Sequence, residues 1–441
     1  MICAARRSVL IAAAVAGVLL AAALPAHAEE KTSWQFDFAG QAASGAISVK
    51  PTATYSKDAG YGFEEAPDGK VVSGAGDATA DGALVAAKPF YFSAAVPEGN
   101  YKVTAVLGDP DAASDTTIKA ELRRLMIEHV HTDAGKYQTV SFVVNVRRPD
   151  IPGGGEVKLK APRETTAEAW DWDDKLTLEF NNAHPALASL SIEKVDVPTI
   201  YLLGDSTMCD QPAEPWCSWG QMLPVFFKPD IAVANHAESG ETIADSNSRG
   251  RFKKILAQIK PGDYFITQFG HNDMKERGAD ASEKYKADLT EWVKQIKAKG
   301  ATPIVVTPMN RHTFRDGKVY NSLADYPDKV REVAKEQDCT LIDLNDMSAT
   351  LYDALGEEGS NQLFEHETDA GKHDGTHHSP YGAYELASCI LQGIRQNVPD
   401  LARHIRDDVP AFDPAHPNPA SEKAFDVPPS PKHTNVVPLG S

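Results

Sequence analysis

The chain is short of cysteine, of basic charge and of long apolar runs, and each shortage removes a class of protein. Its 441 residues include five cysteines, too few for a disulfide framework to replace a hydrophobic core. Cys3 falls in the N-terminal leader, which leaves Cys209, Cys217, Cys339 and Cys389. Cys209 and Cys217, close in sequence, are the expected disulfide pair of an exported chain. Lys and Arg number 44 against 62 Asp and Glu, a formal charge of −18. Binding a phosphate backbone needs a basic face, so nucleic acid is not an expected partner. A polyanionic substrate stays open only if the site itself carries local positive charge.

One long apolar run, residues 9–24, follows Arg6 and Arg7 and leads to Ala26-His27-Ala28. This is the order of a secretory signal peptide: basic start, apolar middle, small-x-small end. Cleavage is expected after Ala28, leaving a secreted or periplasmic chain that has lost two arginines and is more acidic still. No other run approaches the roughly 20 apolar residues of a membrane span, so no membrane is expected for the mature form. Oligomeric state is not legible in the sequence.

A single core stops growing at roughly 250 to 300 residues, so more than one domain is expected. Residues 29–196 show short alternating segments broken by Gly, Pro, Asn and Asp, among them YKVTAVLG (101–108), KLTLEFNN (175–182) and ASLSIEKV (188–195). Period two with frequent turns predicts an antiparallel β-sandwich, an accessory domain open to a carbohydrate-binding role. Trp170 and Trp172 bracket an expected strand there, where alternation sets both on one face, as a sugar platform or as core.

From residue 197 to 399 the rhythm changes. TIYLLGD, IAVANHA, DYFITQFG, TPIVVTPM and CTLIDLN are strand-length apolar runs separated by helix-like segments. Tyr285, Leu289, Val293 and Ile296 recur at helical spacing after Ser282, and Ser379-Pro380 has the cap and first-turn proline of a helix start. Strands alternating with helices predict a doubly wound α/β domain with a parallel sheet. Residues 400–441 become rich in Pro and Asp, which predicts an extended or disordered tail.

In open α/β sheets, ligands bind beyond the carboxyl ends of the strands. Here those ends carry Gly204-Asp205-Ser206-Thr207, the NHAESGET stretch with Gly240, Gly270-His271-Asn272-Asp273 and the TPMNRH stretch with Arg311; the loop before the last helix reads HDGTHHSP. A serine hydroxyl needs a neighbouring base, and the base an orienting group. Asp374 and His377, three apart, can supply both. Attack on a carbonyl creates an oxyanion that needs waiting donors; the amides of Ser206 and Gly240 and the side chain of Asn272 would come from three different strand ends. The bland readings are that Ser206 caps a helix, Asp205 stabilises a turn, and Asn272 and His271 serve their loop. Gly204-x-Ser206 is followed by Met208 where an α/β-hydrolase elbow needs glycine.

GDSTM, the Gly240 of AESGET, GHND and DGTH, in that order, resemble the four blocks of SGNH (GDSL-type) hydrolases, and most nearly the rhamnogalacturonan acetylesterase-like branch. The resemblance covers about 200 residues. It implies a flavodoxin-like three-layer domain and a serine esterase that needs no cofactor and no metal. It puts the nucleophile on Ser206, the base pair on His377 and Asp374, and the oxyanion donors on Ser206, Gly240 and Asn272. It further implies an acetylated polysaccharide substrate from the plant cell wall, such as rhamnogalacturonan, pectin or xylan. The branch often carries Gly-Arg-Ser after the second strand, whereas Glu241 and Thr242 follow Gly240 here, a departure that bears on substrate choice. Arg311, Trp216 and His271 are the candidates for substrate contact.

Three other readings fit parts of the pattern. A lipid or short-chain acyl esterase would use the same chemistry with an apolar trough. A carbohydrate-binding protein without catalysis would account for the sandwich and the tryptophans. A metal hydrolase would draw on His373, His377, His378 and Asp374, but leaves the serine and the amide donors without a purpose.

Overall fold

Alternation builds the first half of the chain. In Gly99–Leu107 every second side chain, from Tyr101 through Val103 and Ala105 to Leu107, is buried. That strand lies between Gln138–Val146 and Ala186–Val195 in a sheet that continues to Ser33–Asp37 and Ile47–Ser48, with Gly82–Ala86 and Gly69–Ser73 attached at Ala186–Val195. The facing sheet runs Tyr61–Phe63, Phe90–Ala95, Lys175–His184, Ser114–Ala120, Arg124–Thr132. All neighbours are antiparallel except Ser33–Asp37 with Ile47–Ser48. Phe36, Phe63, Phe92, Val103, Phe180 and Leu190 fill the space between the sheets. The computed structural model describes residues 1–2, 31–40, 45–73, 80–364, 374–419, 425–434 and 438–439. The expected leader, apart from its first two residues, and His373 lie outside them.

The strand expected around Trp170 and Trp172 is instead a single 3₁₀ turn, Ala169–Asp171, in a long loop that leaves the sandwich. The two indoles do not share a face. Trp172 is buried between the Arg147 and Arg251 guanidiniums and donates to Glu164 Oε1 at 2.9 Å. Trp170 is half-buried and packs on Tyr91, 5.3 Å between ring centroids. Alternation fails as a guide here because loop residues Ile151 and Val157 together with the two guanidiniums and Glu164, not a pleated face, bury Trp172.

The second half contains β1 (Thr199–Gly204), β2 (Ala232–Asn235), β3 (Tyr264–Gln268), β4 (Thr302–Val306) and β5 (Thr340–Ile342) in the order β2-β1-β3-β4-β5, all parallel. This is the flavodoxin-like order. Each residue of β1 is buried, as a central parallel strand covered on both faces requires. Ile200 and Leu202 pack toward α5 (Leu344–Gly359) and α6 (Pro380–Asn397), while Tyr201 and Leu203 pack toward α2 (Arg251–Gln258), α3 (Ala281–Ala298) and α4 (Tyr326–Glu336). Ser379 caps α6 by accepting from the Gly382 amide at 3.1 Å. Among the described residues no helix is long and apolar enough to cross a membrane.

Beyond the short helix Pro399–Ala402 the described residues form no further helix or named strand, and the tail is pinned. Buried Lys119, from the sandwich, donates to the Pro428 carbonyl at 2.7 Å and to Ser430 Oγ at 2.8 Å. Ser430 donates its amide to Glu214 at 2.9 Å, and Glu214 in turn exchanges backbone bonds with Lys432 and Thr434, both 2.8 Å. The tail thus lies along the loop that follows Ser206.

Candidate active site

β1 delivers its carboxyl end to a tight turn. A Cβ on Gly204 would stand 2.6 Å from the Gln268 carbonyl and 2.8 Å from Met208 Sδ, so only glycine lets β1 and β3 lie this close before the chain turns. Asp205 stabilises the turn: its Oδ1 accepts from the Thr207 amide at 3.0 Å and from the Thr207 hydroxyl at 2.7 Å. Ser206 follows, oriented by that turn.

His377 reaches it from the loop before α6. Its Nε2 lies 2.7 Å from Ser206 Oγ, and its Nδ1 lies 2.6 Å from Asp374 Oδ2. The other carboxylate oxygen of Asp374 accepts the amides of Thr376 and His377 at 2.8 and 3.1 Å. Burial pushes the Asp374 pKa up, but the bond and charge of His377 and these two amides outweigh it and hold the carboxyl at about 2. The unbroken chain from carboxylate through imidazole to hydroxyl allows proton removal from Ser206.

A pH prediction follows from the direction of that shift. A carboxyl with a depressed folded pKa contributes stability above its unfolded value near 3.8 and loses it as pH falls through about 2. Asp374 therefore stays ionised above pH 4 and adds no step of its own to log kcat/KM there, so the acid limb is expected to be no steeper than unit slope; a slope near two there would contradict it.

Two further loops complete the arrangement. Gly240 has φ of +71°, a left-handed conformation that side chains rarely adopt. Asn272 donates one side-chain N–H to the Glu241 carbonyl at 3.0 Å, which fixes the amide and leaves its second N–H. Asp273 ties these loops together by accepting from the Gly270 amide at 3.1 Å and from the Ile243 amide at 3.0 Å. Burial, with the nearby Asp205 charge, raises its pKa to about 8 against the pull of the Ile243 amide. Ile243 opens the helix α1 (Ile243–Ser248), whose N-terminus Thr242 and Asp245 close with a capping box.

The chain is similar to known proteins in both halves. Residues 202–383 match the GDSL-like Lipase/Acylhydrolase family, and residues 34–141 match the Beta-agarase/YXIM esterase-like, galactose-binding domain-like family. The chain is 36% identical over 216 residues to rhamnogalacturonan acetylesterase RhgT of Bacillus subtilis, covering 47% of this chain and 93% of that one. The chain belongs to the GDSL-like lipase/acylhydrolase family. The chain is also similar to the uncharacterized esterase YxiM of Bacillus subtilis, 29% identical over 382 residues (84% of this chain, 92% of that one), and to the probable rhamnogalacturonan acetylesterase YesY of the same organism, 32% identical over 202 residues (45% and 92%).

Within this GDSL-type site, the structure joins Ser206, His377 and Asp374 by hydrogen bonds and holds Asn272 against the Glu241 carbonyl next to Gly240, and it revises several other expectations. His271 is fully buried, with Nε2 3.1 Å from the Met309 carbonyl and Nδ1 3.4 Å from Asp205 Oδ2, so it braces two strand ends rather than lining an open surface. Arg311 is half-buried and donates to the His271 carbonyl at 3.2 Å. Trp216 is 2% exposed and stands edge-on to the His377 ring, 6.2 Å between centroids. His378 lies 3.0 Å from the Tyr352 hydroxyl. Cys209 and Cys217 are free thiols, not a disulfide. The Cys209 sulfur lies 3.3 Å from Ser239 Oγ, whereas that of Cys217 donates to Gln221 at 3.0 Å. Glu241 is buried, pairs with Lys160 at 2.7 Å and lies 3.2 Å from Arg249, so it faces the loop from the sandwich.

Several supporting residues left no trace in the spacing of motifs. Gln211 donates to the Ser206 carbonyl at 2.9 Å. The sandwich turn between Ser114–Ala120 and Arg124–Thr132 grips the same loop: Arg123 donates to the Gln211 and Trp216 carbonyls at 3.1 and 3.0 Å, and Arg124 to Asp210 at 2.6 Å and Asp171 at 2.8 Å. Glu121 and Arg123 adopt positive φ in that turn. The sign available beforehand was a Leu-Arg-Arg turn between two alternating segments, and no local rule links it to residues some 90 positions away.

Proposed function

We propose that the chain is an exported serine esterase that removes O-acetyl groups from a carbohydrate of the plant cell wall. The observation that carries this reading is the hydrogen-bonded series Asp374, His377, Ser206 at the strand ends, in a chain whose hydrolase half resembles RhgT over nearly that protein's full length. Ser206 Oγ attacks the acetyl carbonyl carbon as His377 takes its proton. The carbonyl oxygen becomes an anion facing the amides of Ser206 and Gly240 and the side chain of Asn272. Collapse breaks the bond to the sugar oxygen, which leaves with the proton from His377. Water, deprotonated by His377, then attacks the acetyl-enzyme; acetate departs and Ser206 regains its proton.

A second reading, an ester with a longer acyl chain, draws on a cavity of about 670 Å³ beside the site, bordered in part by Pro212, Ala213, Trp216 and Leu439. Acetate release from acetylated pectin, xylan and mannan, set beside hydrolysis of C2 and C8 nitrophenyl esters, separates the two. The acetylesterase is expected to release acetate from at least one glycan and to prefer C2. A C8 preference with no acetate released from any glycan would overturn the proposal.

A further inference from the structure

The cavity beside the site is built by three distant parts of the chain: the loop leaving the sandwich (Arg163), the loop after Ser206 (Gln211, Trp216) and the tail (Lys432, His433). It adjoins the reaction centre, since Trp216 abuts the His377 ring and Gln211 holds the Ser206 carbonyl. Its charges are one-sided. In a chain with 62 acidic against 44 basic side chains, the described lining contains Arg163, Lys432 and His433 and no carboxylate.

These cations differ in availability. Arg163 is committed to Glu168 and lies 3.6 Å from Glu238. Lys432 is exposed, with its ammonium 4.0 Å from the centroid of the Trp170 ring, a cation–π contact that orients the charge without neutralising it. The carboxylates in its surroundings are taken: Glu64 by Lys175, and Glu179 by Ser430 and Lys119. Among the described residues none forms an ion pair with Lys432. Its backbone is fixed by the bond from the Glu214 amide to its carbonyl at 2.8 Å, so the tail holds the ammonium at the cavity rather than in free solution.

We propose that Lys432, stacked on Trp170, is a specificity-determining residue that binds the carboxylate of a uronate unit adjoining the acetylated sugar. This rests on the glycan esterase reading and deepens it. The subsite lies on the sandwich loop and the tail, mostly outside residues 202–383 that match the family. It supplies the local positive charge that an acidic enzyme needs to hold an acidic polymer, while Glu241 is turned inward and has no part in it.

The test compares an acetylated polyuronate with the same polymer after reduction of its carboxylates to alcohols, using the full chain. The wild-type KM is expected to be roughly tenfold lower for the charged polymer, a gap that narrows as salt is added. Lys432→Gln should bring the two KM values together, and Lys432→Arg should keep them apart. Equal KM values for the two polymers in the wild type, or a gap that survives in folded Lys432→Gln, would overturn the subsite alone. Turnover of a nitrophenyl acetate without release of acetate from any glycan would overturn both it and the function it rests on.

Discussion

Replacing Ser206 by alanine should lower kcat/KM on a nitrophenyl acetate by about 10³-fold or more, with a melting temperature close to that of the wild type. The size follows from what is lost: without Oγ no acyl-enzyme forms, and the remaining rate comes from water attacking a carbonyl held in the same donors. Stability should barely change, because the hydroxyl's bond of 2.7 Å to His377 is replaced by a methyl group of nearly the same size. A rate within tenfold of wild type would remove Ser206 from the chemistry.

The second large effect is expected at Asp374. Its Oδ1 is held by two backbone amides and its Oδ2 faces His377 Nδ1 at 2.6 Å. In Asp374→Asn the carbonyl oxygen keeps the two amides, since an NH₂ group cannot accept them. That turns the NH₂ toward the imidazole, so Nδ1 must become an acceptor and the ring's proton moves to Nε2. His377 then presents an N–H to Ser206 where a lone pair is needed. The expected loss in kcat is about 10⁴-fold, the cost of a wrong tautomer in this type of relay. Steady-state kinetics check it; a loss below tenfold would mean that the carboxylate does not set the tautomer.

Local rules carried most of the fold. Period two in Gly99–Leu107 and helical spacing in Ala281–Ala298 both correspond to elements of the structure, because in each case one face is buried against apolar neighbours. The hydrogen-bonded set Ser206, His377 and Asp374 was legible because each residue ends a strand or precedes a helix in an ordered set of short blocks. Long-range polar partnership was not legible. Lys119 reaches Pro428 across 309 positions, and Arg124 reaches Asp210 across 86. No periodicity encodes such pairs, so a tail that composition makes extended is in fact pinned by buried charge. Trp172 misled for the same reason: it is buried by distant cations and Glu164 beside Ile151 and Val157 of a loop, not by a sheet face.

Everything in the mechanism depends on Ser206 becoming covalently bonded to the acyl group. The most direct measurement is labelling with an irreversible organophosphonate, followed by intact mass and peptide mapping. One adduct on the peptide that contains Ser206, formed in step with loss of activity and absent from Ser206→Ala, is the predicted result. Full activity in the presence of excess reagent, or an inactivating adduct on another residue, would contradict it.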